Sequence, residues 1–291
     1  MTRVMKDPEE LGAFVDMLRR NRISCGFVPT MGALHTGHAS LVRRSVQDND
    51  RTVVSIYVNP LQFGEGEDLD TYPRTLDEDV ALCESLRADV VFAPSVKAMQ
   101  PPGRATAVTV RGVSDEFEGA RRPGHFDGVA TIVARLLNLV RPHRAYFGQK
   151  DYQQTVVVRR MVADLAFPVD VVVCPIVRDA DGLALSSRNR YLSAEQREVA
   201  LRLPRALESA ELLVLEGERD ADAIRAHMAE ALDPGDADVE CEYAELVAPD
   251  TLRPLDRLEG HGVLLAVLRV GGTRLLDNRI VAPPGTPAWE S

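Results

Sequence analysis

The chain has 291 residues, 45% of them apolar and 27% charged, so it can bury one large core or a large and a smaller domain. Its net charge of −10 without a basic run disfavours nucleic-acid binding, and no apolar run approaches the roughly 18 residues of a membrane span. The four cysteines form no CxxC pair, and no signal-type apolar segment opens the chain. We therefore expect a cytoplasmic protein with no disulfide framework, structural zinc, nucleic-acid partner or membrane partner.

Short apolar strands alternate with helical patterns through the first 175 residues. Asp7 is a candidate N-cap, with Pro8 at the first helical position, and a second helix is predicted from about His38 to Gln47. Further helices are expected at RTLDEDVALCESLRA, FDGVATIVARLLNLV and YQQTVVVRRMVADL, and strands at ISCGFV, RTVVSIYV, DVVFAP, RAYFG and VDVVVCPI. This alternation predicts an α/β fold with a parallel sheet, whose strand order it leaves open. Ligands of such sheets bind beyond the carboxyl ends of the strands.

The pattern changes after about Pro175. Two stretches, SAEQREVALRLPRALESAELLVLEG and DADAIRAHMAEAL, have helical spacing with charged faces. Three predicted strands follow, VECEYAELV, GVLLAVLRV and TRLLDNRIV, and a GG pair joins the last two as a hairpin. Nearly all of the net negative charge falls in this part. We therefore predict a second, α+β module, which divides the chain into residues 1–175 and 176–291.

The stretch PTMGALHTGH places two histidines, His35 and His38, in a glycine-rich turn after an apolar strand. Gly32 and Gly37 allow a sharp turn, and the N–H groups and dipole of a helix that begins near His38 favour a phosphate. Imidazoles three residues apart lie on one side of that first turn and could stabilise charge during phosphoryl or nucleotidyl transfer. A helix cap with two exposed histidines is an equally good interpretation. A zinc site is weakly indicated, because no cysteine or third histidine is near.

FGQKDYQQ also follows an apolar strand. Lys150 is one of only three lysines among 34 cationic residues, and Gly148 would let a phosphate approach the backbone. Asp151 could accept hydrogen bonds from ribose hydroxyls, and Gln154 could face the site from the next helix. A polar loop without a ligand is the alternative.

Two weaker patterns complete the set. In LALSSRNRYLS, Ser186, Ser187 and Arg188 could grip a phosphate, although a serine that only caps a helix is the default. In YVNPLQFG, the amide of Gln62 suits the hydroxyls or carboxylate of a small acid, and a surface turn is the alternative. The acidic run from Asp77 to Asp79 is consistent with either a magnesium contact or a helix N-terminal cluster.

The four motifs PTMGALHTGH, VNPLQFG, GQKDYQQ and LALSSRNRYL, in this order and spacing, closely resemble those of the pantothenate synthetases, the AMP-forming pantoate–β-alanine ligases. The resemblance covers essentially the whole chain. HxGH alone occurs in many nucleotidyltransferases and class I aminoacyl-tRNA synthetases, whereas KDYQQ with SSRN indicates this family. The resemblance implies a Rossmann-like domain over residues 1–175 that binds ATP and pantoate, a smaller α+β lid over 176–291, and a homodimer. It also implies a reaction in which ATP with Mg²⁺ and (R)-pantoate give a pantoyl-adenylate and pyrophosphate, after which β-alanine displaces AMP.

The resemblance assigns roles to residues by motif position. The catalytic residues would be His35, His38, Lys150 and Arg188, with His38 as proton donor. Gln62 and Gln154 would bind pantoate, and Gln62 would also lie near β-alanine. The adenine contact would be Val177, and the remaining ATP contacts would be Met31, Gly32, Ala33, Leu34, His35, Thr36, Gly37, His38, Gly148, Gln149, Lys150, Asp151, Leu185, Ser186, Ser187 and Arg188.

Three positions depart from the family pattern. Thr36 replaces a common acidic residue within HxGH, Gln149 replaces a common glutamate, and Tyr57 replaces a common phenylalanine. The first two changes remove negative charge beside the phosphates, so we expect ATP binding to be kept. The alternative functions are a nucleotidyltransferase that stops at an adenylylated product, and a nucleotide-binding protein without catalysis. Gln62 and Gln154 favour a small hydroxy acid over a bulky phosphorylated acceptor.

Overall fold

The computed structural model describes residues 1–233, 235 and 238–289. The chain divides into two compact units. The first comprises Met1–Gly148 and Gln153–Cys174, and the second comprises Gln149–Tyr152 and Pro175–Ser291. Residues 149–152 therefore belong to the second unit although they lie, along the chain, between two stretches of the first.

The first unit contains a parallel sheet that has six strands in the described residues. Its strands are β1 (Arg3–Met5), β2 (Cys25–Thr30), β3 (Arg51–Ile56), β4 (Val90–Phe92), β5 (Arg144–Gly148) and β6 (Asp170–Cys174). Their order is β1-β4-β3-β2-β5-β6, and every pairing is parallel. The predicted α/β fold is confirmed, and the chain reverses its winding direction between β2 and β5. The edge strand β1 was not predicted, because three residues are too few to give a pattern.

Helices alternate with these strands along the chain. They are α1 (Pro8–Arg20), α2 (Thr36–Asp48), α3 (Leu76–Ser85), α4 (Val96–Met99), α5 (Glu118–Arg121), α6 (His125–Val140) and α7 (Tyr152–Asp164). Of these, α1, α2 and α6 pack against the sheet. Asp7 caps α1 as expected, by accepting a hydrogen bond from the N–H of Glu9. The helix expected from about His38 to Gln47 is confirmed as α2, which begins at Thr36 because the extended residue His35 is its N-cap.

The second unit contains an antiparallel sheet of three strands in the described residues, in the order β7 (Val239–Val247), β8 (Gly262–Val270) and β9 (Thr273–Val281). The last two form the predicted hairpin, and Gly271 and Gly272 both have positive φ at its turn. Helices α8 (Ala194–Ala200), α9 (Arg202–Leu215) and α10 (Ala221–Leu232) belong to the same unit. No helix within the described ranges is long and apolar enough to cross a bilayer.

The sequence predicted one continuous helix where the structure has α8 and α9. The break follows from Pro204, which has no N–H to donate and whose ring would collide with the carbonyl of the residue four positions earlier. That residue is Ala200, the last of α8. Leu201 then joins the two helices.

The contact between β2 and α2 leaves no room for a side chain at Gly26. A Cβ there would overlap Ser45 Oγ and Asn49 Nδ2. Gly12, in the middle of α1, has open space around the same position. We expect Gly26→Ala to lower the free energy of unfolding by about 1–3 kcal/mol through overpacking. We expect the control Gly12→Ala to raise it by about 0.5–1 kcal/mol through helix propensity. Urea unfolding of both variants tests this, and similar effects of the two changes would contradict it.

Candidate active site

The chain turns sharply after β2, at the predicted histidine motif. Gly32 and Ala33 are consecutive residues with positive φ, 83° and 49°, a conformation that costs Ala33 energy because of its Cβ. The N–H of Gly32 donates to Thr30 Oγ1 over 3.1 Å. The N–H groups of Ala33 and Leu34 donate to the two oxygens of one carboxylate, that of Asp79. The conformation of the turn is therefore fixed by side chains from outside it.

Asp79 reaches this turn from the first turn of α3. Its distances to the N–H nitrogens of Ala33 and Leu34 are 3.0 and 2.7 Å, and only 3% of its surface is exposed. A buried carboxylate requires such donors, because burial without them is costly. The sequence offered a magnesium contact or a helix N-terminal cluster for this residue, and its observed partners are backbone N–H groups. In the described part of the chain, no three His, Cys, Asp or Glu side chains are grouped so that they could hold a metal ion.

The rings of His35 and His38 lie side by side, with their centroids 4.1 Å apart. Nδ1 of His35 accepts from the N–H of Gly37 over 3.1 Å, and Nδ1 of His38 accepts from the N–H of His35 over 3.3 Å. A ring nitrogen that accepts a hydrogen bond carries no proton, so the proton of each neutral imidazole is on Nε2. The turn therefore provides two imidazole Nε2–H donors.

The backbone of this turn is engaged by hydrogen bonds within the chain. Side chains of Thr30, Asp79, His35 and His38 accept from the N–H groups of five residues, which are Gly32, Ala33, Leu34, His35 and Gly37. Of these five, Gly37 lies in the first turn of α2, and a phosphate at the start of that helix stays a prediction. Each imidazole keeps its Nε2–H as a hydrogen-bond donor.

A second turn follows β3 and carries Gln62 on a short 3₁₀ helix, Pro60–Gln62. Asn59 caps this helix and is 2% exposed. Its Nδ2 donates to Gln62 Oε1 over 3.0 Å, and Gln62 Nε2 lies 3.1 Å from Met31 Sδ. The structure thus brings together two of the predicted site residues, Met31 and Gln62. The sequence analysis missed Asn59, for which an Asn-Pro pair, typical of a capped turn, was the available signal.

Two side chains, those of His125 and Arg122, contact the backbone carbonyl of Gln62. His125 Nδ1 is 2.8 Å and Arg122 Nη2 is 3.3 Å from the carbonyl oxygen of Gln62. Arg122 also forms a salt bridge of 2.6 Å with Glu67 and contacts His125 Nε2 at 3.2 Å. A carbonyl can only accept and a guanidinium can only donate, so His125 is neutral with its proton on Nδ1. Burial, and then the charge of Arg122, lower the pKa of His125.

The remaining predicted residues of the first unit are Gly148 and Gln154. Gly148 is the last residue of β5, the strand that pairs with β2. Gln154 lies on α7 and is partly buried. The neighbouring Gln153 is buried and bonds to the backbone of Glu118, Val113 and Glu116, which is a structural role.

The second unit holds the other predicted residues. Three of them, Lys150, Ser186 and Arg188, line one cleft, together with Arg274 and the uncharged Asn189. Ser186 Oγ accepts from the N–H of Arg188 and caps the 3₁₀ helix Ser187–Tyr191, so the capping interpretation holds for this serine. The N–H of Leu185 donates to the carbonyl of Val177 over 3.0 Å. Asp151 accepts from Lys150 Nζ at 3.3 Å.

A model of the pantoate-beta-alanine ligase family matches residues 3–280. The chain belongs to the pantoate–β-alanine ligase family. The resemblance indicated by the four motifs is thereby confirmed. Pantothenate synthetases of Roseiflexus castenholzii and Thermotoga petrophila are 51% and 48% identical to it, over 88% and 96% of this chain and 92% and 99% of their own lengths.

Solved structures of the ligase family have the same fold. Pantoate-β-alanine ligase (pantothenate synthetase) from Thermus thermophilus has a TM-score of 0.91 at 48% identity, over 97% of this chain and all of its own. The pantoate-β-alanine ligase of Francisella tularensis, solved in complex with β-γ ATP and β-alanine, has a TM-score of 0.79 at 30% identity, over 96% and 98%.

The bonds of Asp79 to the histidine turn give a first test of this site. In Asp79→Asn, the amide keeps one acceptor but turns an NH₂ toward a backbone N–H. We expect the free energy of unfolding to fall by about 1–3 kcal/mol, as for a buried donor left without its acceptor. Asp77→Asn is the matched control, since it removes the same charge from an exposed position of the same helical turn. Equal losses of stability in the two variants would show that only the helix charge matters.

The buried His125 predicts a pH dependence of stability. Its pKa is lowered from 6.5 in the folded chain, although Glu67 and Glu118 oppose the shift. Below about pH 6.5 the unfolded chain therefore binds more protons than the folded chain. As the pH falls, this histidine lowers the free energy of unfolding by at most about 1.4 kcal/mol per pH unit. His125→Asn keeps a donor for the Gln62 carbonyl but does not titrate, so we expect a shallower decline. Urea unfolding from pH 7.5 to 5 measures both slopes; identical slopes would exclude this role.

Proposed function

We propose that this chain condenses (R)-pantoate with β-alanine to form pantothenate, using ATP and passing through a pantoyl-adenylate. Its membership of the ligase family supports this reaction, and the pair of imidazoles after β2 is the observation that carries the mechanism. The substrates are ATP, pantoate and β-alanine. The Francisella tularensis relative was solved in complex with β-γ ATP and β-alanine.

The first step joins two anions, because the pantoate carboxylate attacks the α-phosphate of ATP. Donors that are fixed before the reaction lower such a barrier most, since they need no reorganisation as charge develops. His35 and His38 meet this requirement with two Nε2–H groups on a turn held by Asp79. We assign His38 the role of hydrogen-bond donor rather than proton donor, because a neutral Nε2–H is a poor acid.

The outer phosphates and the nucleoside of ATP would be bound mainly by the predicted residues of the second unit. Lys150 and Arg188 bring positive charge to one cleft, and the hydroxyls of Ser186 and Ser187 lie at the start of the same 3₁₀ helix as Arg188. Val177 would contact the adenine. Gly148 would allow close approach of the nucleotide to the end of β5.

Pantoate would be bound by Gln62 and Gln154. Asn59 Nδ2 donates to Gln62 Oε1, so the oxygen of the Gln62 amide faces Asn59 and its NH₂ faces Met31. That NH₂ is a suitable donor for a hydroxyl or carboxylate oxygen of pantoate, and a second acid, β-alanine, would use the same glutamine.

Magnesium would enter as the complex with ATP, and it would neutralise phosphate charge. Mg²⁺ keeps much of its water and is usually bound through substrate phosphates and one or two carboxylates. This fits the described residues, among which no dedicated cluster of metal ligands occurs. The chain's own contribution to phosphate binding would come from imidazole, ammonium and guanidinium donors.

A pantoyl-adenylate reacts with water unless it is shielded, which favours a mobile second unit that acts as a lid. We propose this role for the unit that contains residues 176–291. We also propose that the protein is a cytoplasmic homodimer, as the family resemblance implies.

The test of this function is release of pyrophosphate from Mg-ATP. With pantoate alone we expect a burst equal to one turnover, and with β-alanine added we expect continuous turnover and release of AMP. No burst with pantoate would refute the assignment. A burst without any β-alanine-dependent AMP would favour the alternative, a nucleotidyltransferase that stops at the adenylylated product.

Two substitutions at His38 separate its donor from its acceptor function. His38→Ala should slow adenylate formation by about 10²–10³-fold, as for loss of one fixed donor in the transition state. In His38→Asn, the amide oxygen can still accept from the N–H of His35, but no group replaces Nε2–H, so we expect nearly the same loss. His38→Gln restores a donor near the Nε2 position and should be the most active of the three. Single-turnover pyrophosphate release measures all three, and a fully active Asn variant would exclude the donor role.

A further inference from the structure

Two polar residues in the middle of strand β9, Asp277 and Asn278, are almost fully buried, at 2% and 1% exposed. Neither the motifs nor the proposed chemistry uses them. Buried polar side chains are retained only where their hydrogen bonds are satisfied, so their partners indicate what they do.

Among the described residues, the side chain of Asn278 bonds to the segment that carries Lys150. Its Nδ2 donates to the carbonyl oxygens of Gln149 and Lys150, both at 2.9 Å. Its Oδ1 accepts from Gln149 Nε2 at 3.1 Å. We call these three residues, Gln149, Lys150 and Asn278, the latch. Both N–H donors and the oxygen of the Asn278 amide are therefore hydrogen-bonded to two consecutive residues, Gln149 and Lys150.

Neighbouring bonds fix both ends of this arrangement. Arg178 forms two hydrogen bonds with Asp277, of 2.6 and 3.0 Å, and Asp277 Oδ1 also accepts from the N–H of Asn278. Two residues beyond Lys150, the hydroxyl of Tyr152 donates to the carbonyl of Pro249 over 3.2 Å. The segment of residues 149–152 is therefore attached to the second unit on both sides of Lys150.

The latch attaches Lys150 to the unit that carries the other groups of its cleft. The lysine lines the same cleft as Ser186, Arg188 and Arg274, which also belong to the second unit. A lysine side chain has several rotatable bonds, and anchoring its backbone limits where the ammonium can reach.

We propose that Asn278 is a positioning residue, which holds Lys150 beside Ser186 and Arg188 so that the phosphate-binding cations are assembled before ATP arrives. This inference rests on the proposed function for the role of Lys150 in ATP binding. The latch also explains why a glutamine is present at position 149. Gln149 Nε2 donates a hydrogen bond to Asn278 Oδ1, and the carboxylate of the glutamate common in the family could not donate one.

The first test measures the latch itself. In Asn278→Ala, we expect amide hydrogen exchange in a peptide that covers residues 149–152 to become at least about tenfold faster, since two or more hydrogen bonds are lost. Arg225→Ala is the matched control. Arg225 also donates to two backbone carbonyls of the second unit, those of Leu246 and Leu255, but it does not line the cleft. Unchanged exchange at residues 149–152 in N278A would overturn the proposal.

The second test measures positioning. We expect N278A to raise KM for ATP by about 10–100-fold and to change KM for pantoate much less. We expect R225A to lower the melting temperature without raising KM for ATP more than KM for pantoate. In a Lys150→Ala background, the N278A change should have little further effect on kcat/KM for ATP, because Asn278 acts through Lys150. Faster exchange with unchanged KM for ATP, or additive effects in the double variant, would overturn the positioning role.

If N278A does not fold, Asn278→Ser, which keeps a single small donor, is used for the same two measurements with the same expected directions. If the wild-type chain releases no pyrophosphate from Mg-ATP and pantoate, the proposed function fails, and the exchange comparison still decides whether the latch exists.

Discussion

The backbone of the turn after β2 sets the constraint on which the first unit's site depends. Two consecutive residues with positive φ direct successive N–H groups away from any regular ladder, and buried N–H groups require acceptors. Thr30 and Asp79 supply them, and the two imidazoles accept from the rest. The conformation of the turn and the tautomers of His35 and His38 therefore have one common cause.

Hydrogen-bond partners sort three histidines of the first unit into two chemical states. His35 and His38 face N–H groups and so keep their protons on Nε2, whereas His125 faces a carbonyl and an arginine and keeps its proton on Nδ1. His35 and His38 therefore keep Nε2–H as their ring donor, and we propose that these donors serve substrate, whereas His125 contacts the backbone carbonyl of Gln62. The difference lies in the group that each Nδ1 contacts.

Hydrophobic periodicity and turn residues were sufficient to predict five of the six strands of the first sheet, the hairpin of the second and the long helices. The family motifs then indicated the reaction. The supporting residues could not be predicted in this way, because their partners are distant in sequence. Asp79 bonds to residues 45 and 46 positions earlier, and Asn278 to residues more than a hundred positions earlier. Local patterns carry no information about such pairs. Pro204 is different, because its effect on the helix is local: the prediction of one continuous helix overlooked a proline that the sequence shows within it.

The placement of residues 149–152 in the second unit has a consequence for how the protein is made. Asn278 leaves the ribosome 128 residues after Lys150, so the lysine segment is synthesised long before its anchor exists. The sheet of the first unit can be completed with β6 while this segment still lacks its hydrogen-bond partners. Gln149 and Lys150 can acquire their hydrogen bonds to Asn278 only after β9 has been synthesised. A nascent chain that stops short of β9 would carry all four motifs and still lack these bonds.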